Sequence, residues 1–257
     1  MEYRGIDISE YQPSVDFEQL KASGIDFVMI RTGFGRNPDQ YDKCLSKHVS
    51  GAEKAGLPYG FYHYSYALTP AQAEAEAEFA LELAKGYAPT MPFAYDIEDA
   101  SQKTLTPTAL SAIADTFLTK INNAGYYPML YSSLAGLKSR FDGDLLKKYD
   151  VWLAQWASSP TYSGEYGMWQ YTSSGRIGGV DGPVDMDIAY KDYPAIISEM
   201  EKPAPAFDNI PDEYARIAVE KALSKGILLG DDGNLMLHSP LTRQDFFVLM
   251  DRLGLLN

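Results

Sequence analysis

The sequence predicts an α/β protein, an irregular (β/α) barrel of the TIM-like kind followed by a small helical C-terminal domain. Three observations carry this expectation. Short apolar runs alternate with helical stretches five times, the pattern of parallel βαβ units. Eight such runs fall within roughly two hundred residues, which suits a closed barrel. A proline-spaced segment, Glu201-Lys202-Pro203-Ala204-Pro205-Ala206-Phe207, then precedes a helical tail. The expected division is a barrel at 1–198, a linker at 199–208 and the tail at 209–257.

Residues 3–9 (YRGIDIS) read as the first strand, with Asp7 at its end and Glu10, Tyr11 and Gln12 beyond it. A short helix is expected over 15–23. The apolar run 26–31 (DFVMIR) has the character of a strand buried on both faces. Helix follows over about 40–55, then a third strand at 56–64 that ends in aromatics. Thr69-Pro70-Ala71-Gln72 opens the next helix, with Thr69 as N-cap, Pro70 at the first helical position and Gln72 closing a capping box. Its AEAEAE run alternates like a strand, but Ala and Glu favour helix. After a strand at 91–99, Thr106-Pro107 starts another helix with Leu110, Ile113, Phe117 and Ile121 on its buried face. A fifth strand covers 127–131, a weaker helix runs to Lys148, and strands follow at 151–156, 167–171 and 184–189. The last three strands lack long helices between them, which makes the barrel irregular.

Composition narrows the chemistry. With 257 residues, 46% hydrophobic and 22% charged, the chain can bury a full core. A net charge of −13 argues against nucleic acid as a partner, because that binding depends on basic patches. The 19 tyrosines supply flat apolar faces with polar tips, which suit sugar rings. Cys44 is the only cysteine, so there is no disulfide framework, and it reads as a buried thiol within a helix. No spacing of His, Cys and carboxylates matches a zinc site, so neither metal nor cofactor is expected. The opening residues lack a basic, apolar leader, and no run is long enough to span a membrane. Synthesis in the cytoplasm without a signal peptide, and no membrane partner, are the matching expectations.

The stretch Phe93-Ala94-Tyr95-Asp96-Ile97-Glu98-Asp99 organises the chemistry. Strand alternation turns Asp96 and Glu98 to one face, roughly 6–7 Å apart at Cα. Two neighbouring carboxyls raise each other's pKa, which suits a reaction needing one protonated and one ionised acid. In a parallel barrel the strand C-termini ring the active site. Here those ends carry Asp7, Arg31, Tyr62, Tyr64, Asp96, Glu98, Tyr131, Gln155, Trp156, Gln170, Tyr171 and Asp185. Tyr62, Trp156 and Tyr171 are either sugar-stacking surfaces or lids on the core. His63 alternates with Tyr62 and is expected in the helix layer.

The segments GIDISEYQ, YGFYHY, FAYDIED, YPMLYSS, VWLAQW, MWQYTSSG and VDGPVDMD, in this order, resemble glycoside hydrolase family 25, the lysozymes of bacteria and phages. The resemblance implies a muramidase that cleaves the β-1,4 bond between N-acetylmuramic acid and N-acetylglucosamine of bacterial peptidoglycan, in the manner of an endolysin. Glu98 matches the family's general acid/base, and Asp96 the carboxylate that orients and polarises the substrate's 2-acetamido group; the sequence leaves open whether Asp96 instead attacks directly. Asp7 and Asp185 match acids lining the catalytic pocket. Tyr62, Tyr64, Tyr131, Gln155, Trp156, Gln170 and Tyr171 are the candidate substrate-binding residues. Two departures stand out: Arg31-Thr32-Gly33 where relatives often carry Lys-Ala-Thr, and Asp187 where Asn is common; Asp187 shares a strand face with Asp185 and is expected to serve local structure. A hydrolase for another amino-sugar polymer such as chitin, or a non-catalytic glycan-binding barrel, are the alternatives.

The tail resembles a single S-layer-homology repeat through Gly226, Pro240 and Leu241-Thr242-Arg243. Helices are expected over about 212–225 and after Thr242, the second with Phe246, Leu249, Met250 and Leu253 on its apolar face. Fifty residues make a marginal core, so the tail is expected to dock, self-associate into a homo-oligomer, or bind the cell wall.

Overall fold

Eight strands close into a barrel whose order in space is their order in sequence: β1 (Tyr3–Ile8), β2 (Phe27–Phe34), β3 (Tyr59–Tyr64), β4 (Phe93–Asp96), β5 (Pro128–Ser133), β6 (Asp150–Ala154), β7 (Met168–Gly175) and β8 (Val184–Ala189). β1 to β7 pair in parallel, and β8 runs antiparallel to both β7 and β1. The irregularity expected from the missing helices is therefore a reversed last strand. The structure, a computed structural model, describes residues 1–200, 216–225 and 243–253. The chain divides into two units, Met1–Met200 and Glu201–Asn257.

Strand alternation sorts the side chains into two layers. Ile6, Ile8, Val28, Ile30, Phe61, Phe93, Tyr95, Leu130, Val151 and Leu153 face outward under the helices. Phe27, Met29, Ala94, Met129, Trp152 and Met168 fill the interior. Gly5 makes room for this filling, because a Cβ there would lie 2.2 Å from the Phe27 ring. Large interior side chains thus plug the lower barrel and leave its upper end to polar groups.

The helices are α1 (Phe17–Ala22), α2 (Leu45–Ala55), α3 (Pro70–Ala84), α4 (Pro107–Asn123), α5 (Leu134–Ser139), α6 (Gly143–Lys148) and α7 (Tyr193–Glu199). Thr69 caps α3 by accepting from the Gln72 N–H, while Gln72 Oε1 accepts from the Leu68 N–H rather than from the cap residue itself. Leu110, Ile113, Phe117 and Ile121 form the buried face of α4, as their spacing predicts.

Four expectations need correction. The helix expected from residue 40 begins at Leu45, because Gln40–Asp42 pair with β2 instead: Phe34 N–H donates to Gln40 O and Asp42 N–H to Thr32 O. Cys44 is consequently the N-cap residue of α2 and only partly buried, not a buried thiol within a helix. The strand expected over 91–99 ends at Asp96, so Glu98 stands on the loop just beyond it. The expected weak helix before Lys148 is two short helices, α5 and α6.

In the second unit, α8 (Arg216–Ser224) and α9 (Arg243–Arg252) are described. Phe246, Phe247 and Val248 are exposed on α9, and the two phenyl rings meet edge to face at 5.7 Å. Gly226, Pro240, Leu241 and Thr242, which carry much of the repeat resemblance, lie outside the described residues. No described helix is long and apolar enough to cross a membrane.

Candidate active site

The C-terminal ends of the parallel strands and the N-terminal end of the reversed β8 surround a cleft of about 320 Å3. Register brings its acids together. Asp7 on β1 faces Asp185 on β8, and Tyr64, Asp96 and Tyr131 stand side by side on β3, β4 and β5. Asp7, Asp96, Glu98 and Asp185 line the cleft with Tyr62, Tyr64, Tyr131, Trp156 and Gln170. Nine of the eleven residues given a catalytic or substrate-binding role from the sequence thus converge here.

Gln155 and Tyr171 are not brought to the cleft. β6 ends at Ala154, and the Gln155 amide turns away to Thr161, accepting from its N–H at 2.9 Å and donating to its hydroxyl at 3.0 Å. Tyr171 follows Gln170 on β7, so alternation sends it to the opposite face, where its hydroxyl lies 3.5 Å from Met186 Sδ.

Gln170 is the hub of the floor. Its Nε2 donates to Asp7 Oδ2 at 2.9 Å, and its Oε1 accepts from the Tyr131 hydroxyl at 3.1 Å and from Trp156 Nε1 at 3.0 Å. These bonds fix the amide and pin the edge of the Trp156 indole, whose residue remains 65% exposed. A largely solvent-facing ring held at one edge is a ready stacking surface for a sugar.

Asp187, expected to serve only local structure, belongs to the same acidic cluster. It is fully buried and accepts from Trp152 Nε1 at 2.9 Å. Among the described residues its Oδ2 finds no partner, and neither does Asp96 Oδ1. Burial, then the charges of Asp187 and Asp185, hold the Asp7 pKa well above the usual carboxylate range. Burial likewise raises Asp187, with the Trp152 hydrogen bond opposing it and the charge of Asp185 adding to it. The Asp7–Asp185–Asp187 trio therefore holds its protons to higher pH than isolated carboxyls do.

The pair at the end of β4 has a divided environment. Asp96 is buried, and its pKa is raised by that burial first and by Glu98 second, with Arg31 pulling the other way. Glu98 is exposed to the cleft, and desolvation of its carboxyl, followed by the charge of Asp185, raises its pKa too. Arg31 owes its position to ion pairs with Asp42 at 2.8 Å and Glu10 at 3.0 Å, and its guanidinium lies 5.2 Å from the Tyr11 ring centroid. Arg31 and Trp152 also line the cleft. Arg31 was expected at a strand end but given no role, and Trp152 was not among the sequence candidates, although it sits two residues before Ala154 on the inward face of β6 and alternation alone would have found it. His63 is buried in the helix layer as expected, between the Thr32 hydroxyl and the Gly35 carbonyl, and burial lowers its pKa to about 4. Among the described residues no group of three or more His, Cys, Asp or Glu is arranged to hold a metal ion.

Residues 6–180 match the sequence profile of Glycosyl hydrolases family 25. The chain belongs to this family. One relative, the autolytic lysozyme of Clostridium acetobutylicum, is 30% identical over 185 residues, covering 72% of this chain and 55% of the relative. Among solved structures, the modular autolysin LytC of Streptococcus pneumoniae in complex with a synthetic peptidoglycan ligand is 30% identical. It aligns with a TM-score of 0.64 over 74% of this chain and 47% of its own. The catalytic domain of endolysin ply40, from a bacteriophage of Listeria monocytogenes, is 29% identical with a TM-score of 0.61, over 79% and 98%. The chain spans about half the length of the clostridial and pneumococcal proteins.

Proposed function

We propose that this family 25 protein is a muramidase that hydrolyses the β-1,4 bond between N-acetylmuramic acid and N-acetylglucosamine in bacterial peptidoglycan, in the manner of an endolysin acting on the cell wall. The observation that carries the reading is the pair at the end of β4, a cleft-exposed Glu98 with raised pKa beside a buried Asp96 with an unpaired oxygen. Lysozymes and endolysins among the similar proteins support the substrate class.

Glycoside hydrolysis needs a protonated acid at the leaving oxygen and negative charge facing an oxocarbenium-like transition state. Glu98 takes the first role, because its raised pKa keeps it protonated further toward neutrality. It returns as base when water adds. Asp96, with Oδ1 free, orients the substrate's 2-acetamido group and stabilises the positive charge that develops on it. Asp7 and Asp185 line the floor, and Gln170 holds Asp7 and Trp156 in register. Tyr62, Tyr64, Tyr131 and Trp156 form the walls against the sugar rings.

The barrel of residues 1–198 is the catalytic part in this reading, and 199–208 the linker. The tail, 209–257, is an S-layer-homology-like module that holds the enzyme to the wall or joins copies into a homo-oligomer. The exposed Phe246, Phe247 and Val248 on α9 support a contact surface there. The test is loss of turbidity of purified cell walls. Wild type is expected to clear them and to leave chitin intact, while Glu98→Gln clears neither. Clearance of chitin instead of walls would assign another amino-sugar polymer.

A further inference from the structure

A buried polar chain runs behind the β3 and β4 ends, from helix α3 to the loop that carries Glu98. Glu76, fully buried in α3, accepts from the Tyr95 hydroxyl at 2.6 Å and from the Tyr66 N–H at 2.9 Å. The Tyr95 hydroxyl lies 2.7 Å from Ser65 Oγ, which in turn accepts from Gln102 Nε2 at 3.0 Å and from the Ala67 N–H at 3.1 Å. A carboxylate only accepts and an amide nitrogen only donates, so the direction is fixed: amide to hydroxyl, hydroxyl to phenol, phenol to carboxylate.

Gln102 ends this chain on the side of the catalytic loop. It is 2% exposed, and its Nε2 also donates to the Ala67 carbonyl at 3.1 Å. With both amide hydrogens used, Oε1 can only point to the Asp99 N–H, which it meets at 3.0 Å. That N–H belongs to the peptide unit joining Glu98 to Asp99. Two residues earlier, the Asp96 carbonyl accepts from the Ser65 N–H at 2.8 Å. Ser65 and Gln102, bonded to each other, therefore grip the backbone on both sides of Glu98. This matters because Glu98 lies beyond the end of β4, where strand pairing no longer holds it.

We infer that Gln102 is a positioning residue for Glu98: its amide holds the Glu98–Asp99 peptide and so sets the aim of the Glu98 carboxyl into the cleft. This rests on the reading of Glu98 as the acid. The competing account is that Gln102 only closes the capping box of the 3-10 helix Ala100–Thr104. A cap alone would change stability and leave the chemistry of folded molecules untouched.

The experiment compares wild type, Gln102→Leu and Tyr95→Phe, all as the full chain. Tyr95→Phe keeps the ring stacked 3.8 Å from Phe117 and deletes only the hydroxyl, so it provides a variant that folds even if the first does not. Two quantities are measured: kcat and KM on soluble peptidoglycan fragments, and the titration of the Glu98 carboxyl by carbon-13 resonance. Positioning predicts that Gln102→Leu lowers kcat about 10–100-fold with KM within about twofold, the scale expected for a misplaced catalytic group. It also predicts that Glu98 titrates at lower pH than in wild type, as the carboxyl leaves its desolvated place near Asp185. Tyr95→Phe should move both quantities the same way, by less. Unchanged kcat and unchanged Glu98 titration in the folded variants would overturn the inference. If wild type cleaves no peptidoglycan, the proposed reaction fails, and the titration alone then decides whether Gln102 positions Glu98.

Discussion

The two ends of the barrel hold depressions of similar size, about 360 Å3 at the base and about 320 Å3 at the mouth. Volume does not distinguish them; the state of their buried carboxyls does. At the base, Asp150 has partners on every side. It accepts from the Val151 N–H at 3.0 Å, the Tyr127 hydroxyl at 3.2 Å, Lys191 Nζ at 2.9 Å and the Tyr193 hydroxyl at 2.8 Å. At the mouth, Asp96 and Asp187 each keep an unpaired oxygen, and Asp7, Asp96 and Asp187 have raised pKa values. A satisfied carboxylate ties elements together, whereas an unsatisfied one is a cost to folding that a reaction can use. The base is built for stability and the mouth for chemistry.

The sharpest way to break this contrast is to exchange the expected effects. Glu98→Gln at the mouth should cut lytic activity by about 10²–10⁴-fold, the span of a lost general acid, with the thermal midpoint almost unmoved. Asp150→Ala at the base should do the reverse. It strands two phenols and a half-exposed lysine, and the expected loss is about 2–3 kcal/mol of stability by denaturant unfolding, with kcat of the folded fraction retained. A large stability loss in the first or a large kcat loss in the second would merge the two regions.

Smaller effects sharpen the contrast. Asp187→Asn keeps an acceptor for Trp152 and removes one buried charge from the trio, so the thermal midpoint at neutral pH should rise by a few degrees. An acid whose folded pKa is raised stabilises below its unfolded pKa, and that stability is lost as pH rises through the folded pKa. Asp7, Asp96 and Asp187 therefore favour the fold on acidification. His63 acts oppositely: with its pKa lowered to about 4, it gives stability above its ordinary value near 6.5, lost as pH falls toward 4. Denaturant midpoints from pH 4 to 9 should fall on the alkaline side in wild type and fall less in Asp187→Asn. The smallest expected change comes from removing the tail after Glu199: lysis of whole cells should drop while turnover of soluble fragments persists.

Most of the barrel was legible because its strands are short apolar runs and its two longest helices, α3 and α4, start at Thr-Pro caps. Asp7 and Asp96 could be placed because parallel strand ends point into one mouth, whereas Asp185, at the start of β8, reaches it because that strand is reversed. What escaped were features that depend on where a strand stops or on partners far along the chain. Gln155 and Tyr171 were assigned by position at a strand end, yet the end of β6 and the alternation of β7 turn them away from the cleft. Asp187 was underrated because its neighbours, Asp7 and Trp152, lie far from it in sequence. Gln102 gave no signal beyond a polar residue after an acidic turn.

The central claim is that Glu98 delivers a proton to the glycosidic oxygen that follows N-acetylmuramic acid. The direct measurement is mass analysis of the sugar ends released from purified peptidoglycan by wild type and by Glu98→Gln at equal concentration. Wild type should release reducing muramic acid ends and Glu98→Gln almost none. Reducing glucosamine ends from wild type, or undiminished release by Glu98→Gln, would contradict it.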